Sequence, residues 1–326
     1  MQSLLKDVMI SLFMGMALPG MVLNFAVALL EDEQNTVMVT EASLTEETSM
    51  PQVVPLQMRM RRTDGSSVEM DMDTYLVGVV LAEMPAYFGV ESLKAQSVVA
   101  RTYTQKAYIT GGKHGDGSIC TNPSCCQAYI TESDYLNQGG IQEDVDKVRS
   151  AVCATSGLVL TYEGKLIEAT YFSCSGGITE DAVAVWGTDY PYLRSVESPG
   201  EESATYYTDT MIYTKQQLES ALGVSLSGSS GSWFSEISYT AGGGIDTVTI
   251  GGRIFEGTQI RNLLHLRSTA LSISPGENGV TITTRGYGHR VGMSQYGADA
   301  MAAGGSGYAD ILAHYYPGTV LTLVEN

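Results

Sequence analysis

The stretch "EMPAYFGVESLKAQSVVARTYTQ", Glu83 to Gln105, decides how the chain is read. Pro85 ends whatever helix precedes it, because the residue before a proline avoids helical geometry. Upstream, "DTYLVGVVLAEM" places Leu76, Val79, Val80 and Glu83 on one face of a helix, with Asp73 as its cap. Downstream, a second helix runs from about Glu91 to Ile109 and stops at Gly111-Gly112. Two such helices in succession point to a helix-rich core, and they leave a single carboxylate at a helix end on an apolar face. Burial raises a carboxyl pKa, and the partial negative charge at a helix C-terminus pushes the same way. A carboxyl still protonated near neutral pH is what a general acid needs. The alternative is structural. Lys94 and Arg101 lie on one face of the second helix, and either could hold Glu83 in an ion pair.

Toward the N-terminus, "LQMRMRR" and "SSVEMDM" alternate apolar and polar residues across Thr63-Asp64-Gly65, the pattern of a hairpin. Residues 31–51 are acidic and Thr/Ser-rich, and read as a flexible tether. Residues 8–30 carry no charge and are long enough to cross a bilayer as a helix. Lys6 before this run and Glu31-Asp32-Glu33 after it favour a single membrane anchor (residues 1–30) with the rest outside, facing the cell wall. A cleaved signal peptide is the alternative.

Toward the C-terminus, residues 113–127 show no periodicity. "QEDVDKVRSAVCATSG" reads as a helix with Val145, Val148 and Val152 inward and Gly157 as C-cap. "LVLTYEGKLIEATYF" reads as a hairpin turning at Glu163-Gly164, followed by the tight loop "SCSGG". Residues 198–275 turn Ser/Gly-rich with short strands and read as an inserted lobe walling one side of a cleft. "GVTITTRGYGHRVGMSQYGADAMAAGG" returns to strand, glycine loop and helix. The expected fold is mixed α+β: a catalytic domain from residues 52–197 and 276–326, helix-rich with short strands, interrupted by a strand-rich lobe. The 326-residue chain holds 36 acidic and 18 basic residues, a net charge of -18 that argues against a nucleic-acid partner.

"HGDGSICTNPSCCQAY" sets His114, Cys120 and Cys126 at six-residue intervals. Two thiolates and an imidazole are good zinc ligands, and Cys125 could stand in for Cys126. A disulfide from Cys120, or free thiols, is the competing reading. Cys153 falls on the inward side of its helix, and the state of Cys174 is open.

"EMPAYFGVESLKAQSVVARTYTQ", "YFSCSGGITED" and "RGYGHRVGMSQYGADAMA", in that order, resemble the stage II sporulation protein D family of lytic transglycosylases. The resemblance implies a membrane-anchored enzyme acting on peptidoglycan during engulfment, alongside a partner amidase and other membrane-anchored engulfment proteins. It implies cleavage of the MurNAc–GlcNAc bond of glycan strands stripped of peptides, with Glu83 as the catalytic acid. One carboxylate suffices where the MurNAc 6-hydroxyl attacks its own C1, giving a 1,6-anhydro sugar. Ordinary glycosidases use two. Tyr171 and Ser175 carry over as glycan contacts; a hairpin end with satisfied hydroxyls is the alternative for both. Lys94 and Arg101 would orient Glu83 or bind the sugar. His289 and Gln295 would line the site, or His289 would be a buried structural imidazole. Some members bind zinc through one His and two Cys near the catalytic Glu, which here implies a structural zinc on His114, Cys120 and Cys126. Two other activities remain open: a zinc-dependent peptidoglycan amidase, and a non-catalytic wall-binding or amidase-activating module.

Overall fold

A computed structural model describes residues 57–324. The alternating stretch forms an antiparallel hairpin, Gln57–Arg61 against Ser67–Asp71, with Met58 and Met60 buried beneath it. The next segment is helix α1 (Met72–Glu83). Its cap is Asp71 rather than Asp73: the Asp71 carboxylate accepts the Thr74 N–H at 2.9 Å. Tyr75, Leu76, Val79 and Val80 are fully buried, so α1 is an interior helix. Met84 takes extended geometry ahead of Pro85, and the helix ends as expected.

Helix α2 (Val90–Thr110) is the spine. Leu93 and Ala100 belong to the cluster shared with α1, while Ala95, Val98 and Val99 belong to a second cluster. Gly111 closes the helix in the left-handed conformation, φ 85°. Helix α3 (Glu132–Asn137) leads to α4 (Gln142–Ala154), which packs Val145, Val148, Ala151 and Val152 into the first cluster. The α4 cap is Thr155, not Gly157. The Thr155 hydroxyl donates back to the Ala151 carbonyl at 3.1 Å, and its own carbonyl accepts from Arg101 Nη1 at 2.7 Å. Cys153 sits on the exposed side of α4, which corrects the inward placement expected for it.

The second cluster closes against a sheet in which Leu158–Tyr162 lies between Lys165–Leu166 and Val320–Leu323. The hairpin turns at Glu163 and Gly164, both at positive φ, the geometry that matches strand twist. Helix α5 (Ala182–Trp186) follows the "SCSGG" loop.

Residues 213–282 contribute a third apolar cluster. They include α6 (Lys215–Leu222) and α7 (Gly257–Leu263). In one sheet Gly279–Arg285 lies between Leu271–Gly276 and Thr208–Thr214. Val280 and Ile282 complete the cluster, so this packing unit runs past residue 275. Helices α8 (Gln295–Ala303) and α9 (Tyr308–Tyr315) return to the second cluster. The fold is mixed α+β.

The membrane location expected from the N-terminus is corrected. No helix among the described residues is long and apolar enough to cross a membrane. The run at 8–30 and the tether at 31–51 lie outside them.

Candidate active site

Glu83 ends α1 half-buried, and its Oε1 accepts the Ala128 N–H at 2.6 Å. Burial lifts its carboxyl above the ordinary range; the Ala128 amide and the Tyr171 hydroxyl oppose this without cancelling it. Among the described residues no cation pairs with Glu83, so neither Lys94 nor Arg101 provides the structural alternative. Glu83 opens into a cleft of about 720 Å³.

Tyr171 stands beside it at the short parallel pairing of Tyr171–Phe172 with Met293–Ser294. Its hydroxyl donates to Gln127 Oε1 at 3.2 Å, and Gln127 Nε2 donates in turn to Thr104 Oγ1 at 2.9 Å. Burial, then the Glu83 charge, push the Tyr171 hydroxyl well up, so it stays protonated and keeps its donor role.

His289 lines the same cleft between the rings of Phe172 and Trp186. Its Nδ1 accepts the Val291 N–H at 3.1 Å. Burial, with Arg261 and Lys113 nearby, brings it down to about 4, so the ring is neutral at physiological pH.

Another wall of the cleft is the cysteine loop, through Lys113, Cys125 and Cys126. The ligand atoms of His114, Cys120, Cys125 and Cys126 all lie within 4.8 Å of one another. His114 Nε2 is 3.5 Å from Cys126 Sγ and 3.9 Å from Cys125 Sγ, and the two sulfurs are 3.8 Å apart. A tetrahedral zinc has edges of about 3.8 Å between sulfurs and about 3.6 Å from nitrogen to sulfur. The donor set and its spacing therefore fit the ion, and Cys125 lies in the same cluster as Cys126. Asn122 brings the two together: its carbonyl accepts both the Cys125 and Cys126 N–H groups, at 2.9 and 2.8 Å. Burial works to raise the Cys120 thiol, but the Asn122 amide, His114 and the neighbouring thiols outweigh it and bring it to about 7.

The family profile described as "Stage II sporulation protein" matches residues 62–162, a span that carries Glu83, α2 and the whole cysteine loop. Beyond that span, the chain is 37% identical to stage II sporulation protein D of Bacillus subtilis (strain 168) over 302 residues, 90% of this chain and 87% of the relative. The chain belongs to the stage II sporulation protein D family. The protein of that name from Bacillus amyloliquefaciens is also 37% identical, over 83% of this chain and 80% of its own length. An amidase enhancer of Bacillus subtilis (strain 168) is 30% identical over 76% of this chain but only 40% of the longer relative. The family identity covers fold and lineage. The chemistry rests on the cleft.

Of the residues expected there, Glu83, Tyr171 and His289 meet at the cleft, with Cys126 on its wall. The others are used elsewhere. Lys94 Nζ pairs with Glu91 at 2.6 Å and faces the Tyr308 ring. Arg101 is 2% exposed, pairs with Asp73 at 2.9 Å and donates to carbonyls at the end of α4, so it serves the fold. Ser175 is fully buried, and both its amide and its hydroxyl donate to Glu201, at 2.7 and 2.8 Å. Gln295 is buried at the start of α8, away from the cleft wall. Sequence reading missed Trp186 (42% exposed), Tyr287, Gln127 and Glu168, all on the cleft wall. Aromatic residues beside glycines in "VWGTDY" and "RGYGH" were the available signal for the first two. Glu168 is the cleft's other carboxylate, and Lys106 holds it at 2.6 Å.

Proposed function

We propose that the protein is a peptidoglycan lytic transglycosylase acting in sporulation, with Glu83 as its general acid and base. The observation that carries this reading is a half-buried carboxyl, raised by burial and free of any cation among the described residues, opening into an aromatic-lined cleft. Glu83 in its acid form protonates the glycosidic oxygen as the bond to MurNAc C1 breaks. The MurNAc 6-hydroxyl then closes on C1, and the Glu83 carboxylate takes its proton. Bond and proton counts balance without added water, and one carboxylate serves both steps. The Ala128 amide holds the acid in place, with Tyr171 beside it on the cleft wall. Trp186 and Tyr287 offer faces on which sugar rings stack.

His114, Cys120, Cys125 and Cys126 would hold a structural zinc. The ion would supply loop rigidity, fixing the segment that runs on to Gln127 and Ala128, the partners of Tyr171 and Glu83. A four-ligand site is closed, unlike the open site a zinc amidase needs. The relative named amidase enhancer supports a second reading, in which the cleft binds glycan and activates a partner amidase without cutting.

Mass spectrometry of products from peptide-free glycan strands separates these readings. Wild type should release 1,6-anhydro-muramyl products and Glu83→Gln should not. Glycan binding without cleavage by folded wild type would leave the activator reading. Released stem peptides that vanish with chelator would support the amidase.

A further inference from the structure

The lobe carries a second hollow, about 590 Å³, lined by Arg261, Asn262, Arg267 and Asp209, and it shares Tyr287 with the Glu83 cleft. Its two arginines differ. Arg267 is ion-paired and stacked, though among the described residues not hydrogen-bonded: its Nε lies 3.1 Å from Asp209, and its guanidinium lies 3.9 Å from the Tyr206 ring centroid and 5.1 Å from that of Tyr287. It makes Tyr287 a braced partition between hollow and cleft. Arg261 spends only its Nε, donating to the Arg267 carbonyl at 3.2 Å. Among the described residues its Nη groups have no hydrogen-bond partner and no carboxylate pairs with it.

Burial lowers the Arg261 guanidinium from its usual range, and its charge reaches both Tyr287 and His289. Arg261 lines the same hollow as Tyr287, whose ring is also part of the cleft wall. An unpaired guanidinium, partly desolvated, is a receptor for a carboxylate, whose planar fork it matches. In a chain of net charge -18 such a cation matters more, since the general field repels an anionic substituent.

We propose that Arg261, with Tyr287, forms a subsite that takes a carboxylate-bearing substituent of a glycan bound in the Glu83 cleft. On the glycan reading above, on which this rests, that group in a peptide-free strand is the lactyl carboxylate of a muramic acid residue. Tyr287 would stack on the sugar while Arg261 forks onto its acid. The lobe thus selects acidic glycans over neutral ones of the same length.

The test measures binding by the full chain carrying Glu83→Gln, which removes turnover. The probes are peptide-free MurNAc–GlcNAc strands with the lactyl carboxylate free, and the same strands with it amidated. The free-acid strand should bind about tenfold tighter, the size expected for one charge-assisted fork. Adding Arg261→Gln should weaken acid-strand binding alone until the two strands bind alike. Arg261→Lys, which keeps the charge and tolerates partial burial, should retain part of the preference and guards against a Gln variant that misfolds. A preference that survives in Arg261→Gln, equal losses for both strands, or no preference in the parent would overturn the subsite while leaving the Glu83 reading intact. If neither strand binds the folded parent, the glycan reading falls and takes the subsite with it.

Discussion

Two glutamates of this chain are withdrawn from water and put to opposite uses. Glu180 is 1% exposed and meets Arg290, also 1% exposed, at 3.1 Å. Its Oε1 also accepts the Gly244 N–H at 3.0 Å and the Thr240 hydroxyl at 2.8 Å. Arg290 donates to the carbonyls of Ser175, Ile178 and Gly242. The pair thus ties residues 240–244 to the loop around residue 175 through a network that satisfies the Arg290 nitrogens but leaves Glu180 Oε2 without a hydrogen bond among the described residues. Gly244 is part of the design, since a Cβ there would stand 2.3 Å from Glu180 Oε1. Glu83 is partly buried and, among the described residues, has no cation paired to it. Burial alone does not distinguish a structural acid from a chemical one; the partner does. Glu180 has its charge neutralised in place, whereas burial holds the Glu83 carboxyl above its ordinary range with no cation paired to it among the described residues.

The comparison can be broken at either acid. Glu83→Gln should cut turnover by about 10²-fold or more while the fold persists. The same variant should be more stable than wild type at neutral pH, because the raised carboxyl must ionise in a poorly solvated site. Stability held by the protonated acid is present below the ordinary glutamate range and lost as pH rises through the raised value, so the advantage of Gln should vanish in acid. Thermal melts at pH 4 and pH 7 would check the sign, and an unstabilised variant at pH 7 would mean that Glu83 has a counter-charge after all. For the same reason wild-type turnover should fall as pH rises through the raised value.

Arg290→Met leaves the Glu180 charge buried and unpaired, and should cost about 3–5 kcal/mol of stability, read from denaturant midpoints. The double variant Glu180→Gln/Arg290→Met should recover part of this. No recovery would show that the backbone carbonyls, not the ion pair, carry the tie.

Smaller effects are expected around the cleft. Chelation, or Cys120→Ser, should lower the melting temperature and reduce turnover without abolishing it, since the metal would order the wall and not the reacting atoms. Complete loss at unchanged melting temperature would contradict that role. Glu168→Gln should change turnover least, because Lys106 already engages that carboxylate. A loss as deep as that of Glu83→Gln would make the cleft a two-carboxylate glycosidase.

Much of the secondary structure was legible. Hydrophobic periodicity placed α1, α2 and α4, and the turns at Thr63-Asp64-Gly65 and Glu163-Gly164 followed from local chemistry. Caps were less so: Asp71 and Asp73 are equally good acceptors on paper, and Asp73 was drawn instead to Arg101. The site was legible in part. His114, Cys120 and Cys126 stood out by spacing, and Cys125 joined them because one tight turn folds both vicinal thiols to the same side. Arg101 was expected to orient Glu83 or bind sugar, and Ser175 carried over from the family resemblance as a glycan contact. Periodicity reports a face, not depth, and both lie deep enough that the backbone and Glu201 consume their polar groups.

The sequence by itself determined that a carboxylate ends an apolar helix, that metal-ligand side chains crowd one loop, and to which family the chain's motifs point. These are properties of short segments, governed by helix period, proline and ligand spacing. Only the tertiary structure decided that, among the described residues, Glu83 has no paired cation while Glu180 has one, that Tyr171 and His289 meet at the same cleft, and that Arg261 has no carboxylate partner in the hollow it shares with Tyr287. Those facts arise where distant segments pack together. There the competition between desolvation and available partners is settled by three-dimensional proximity, which no local pattern encodes.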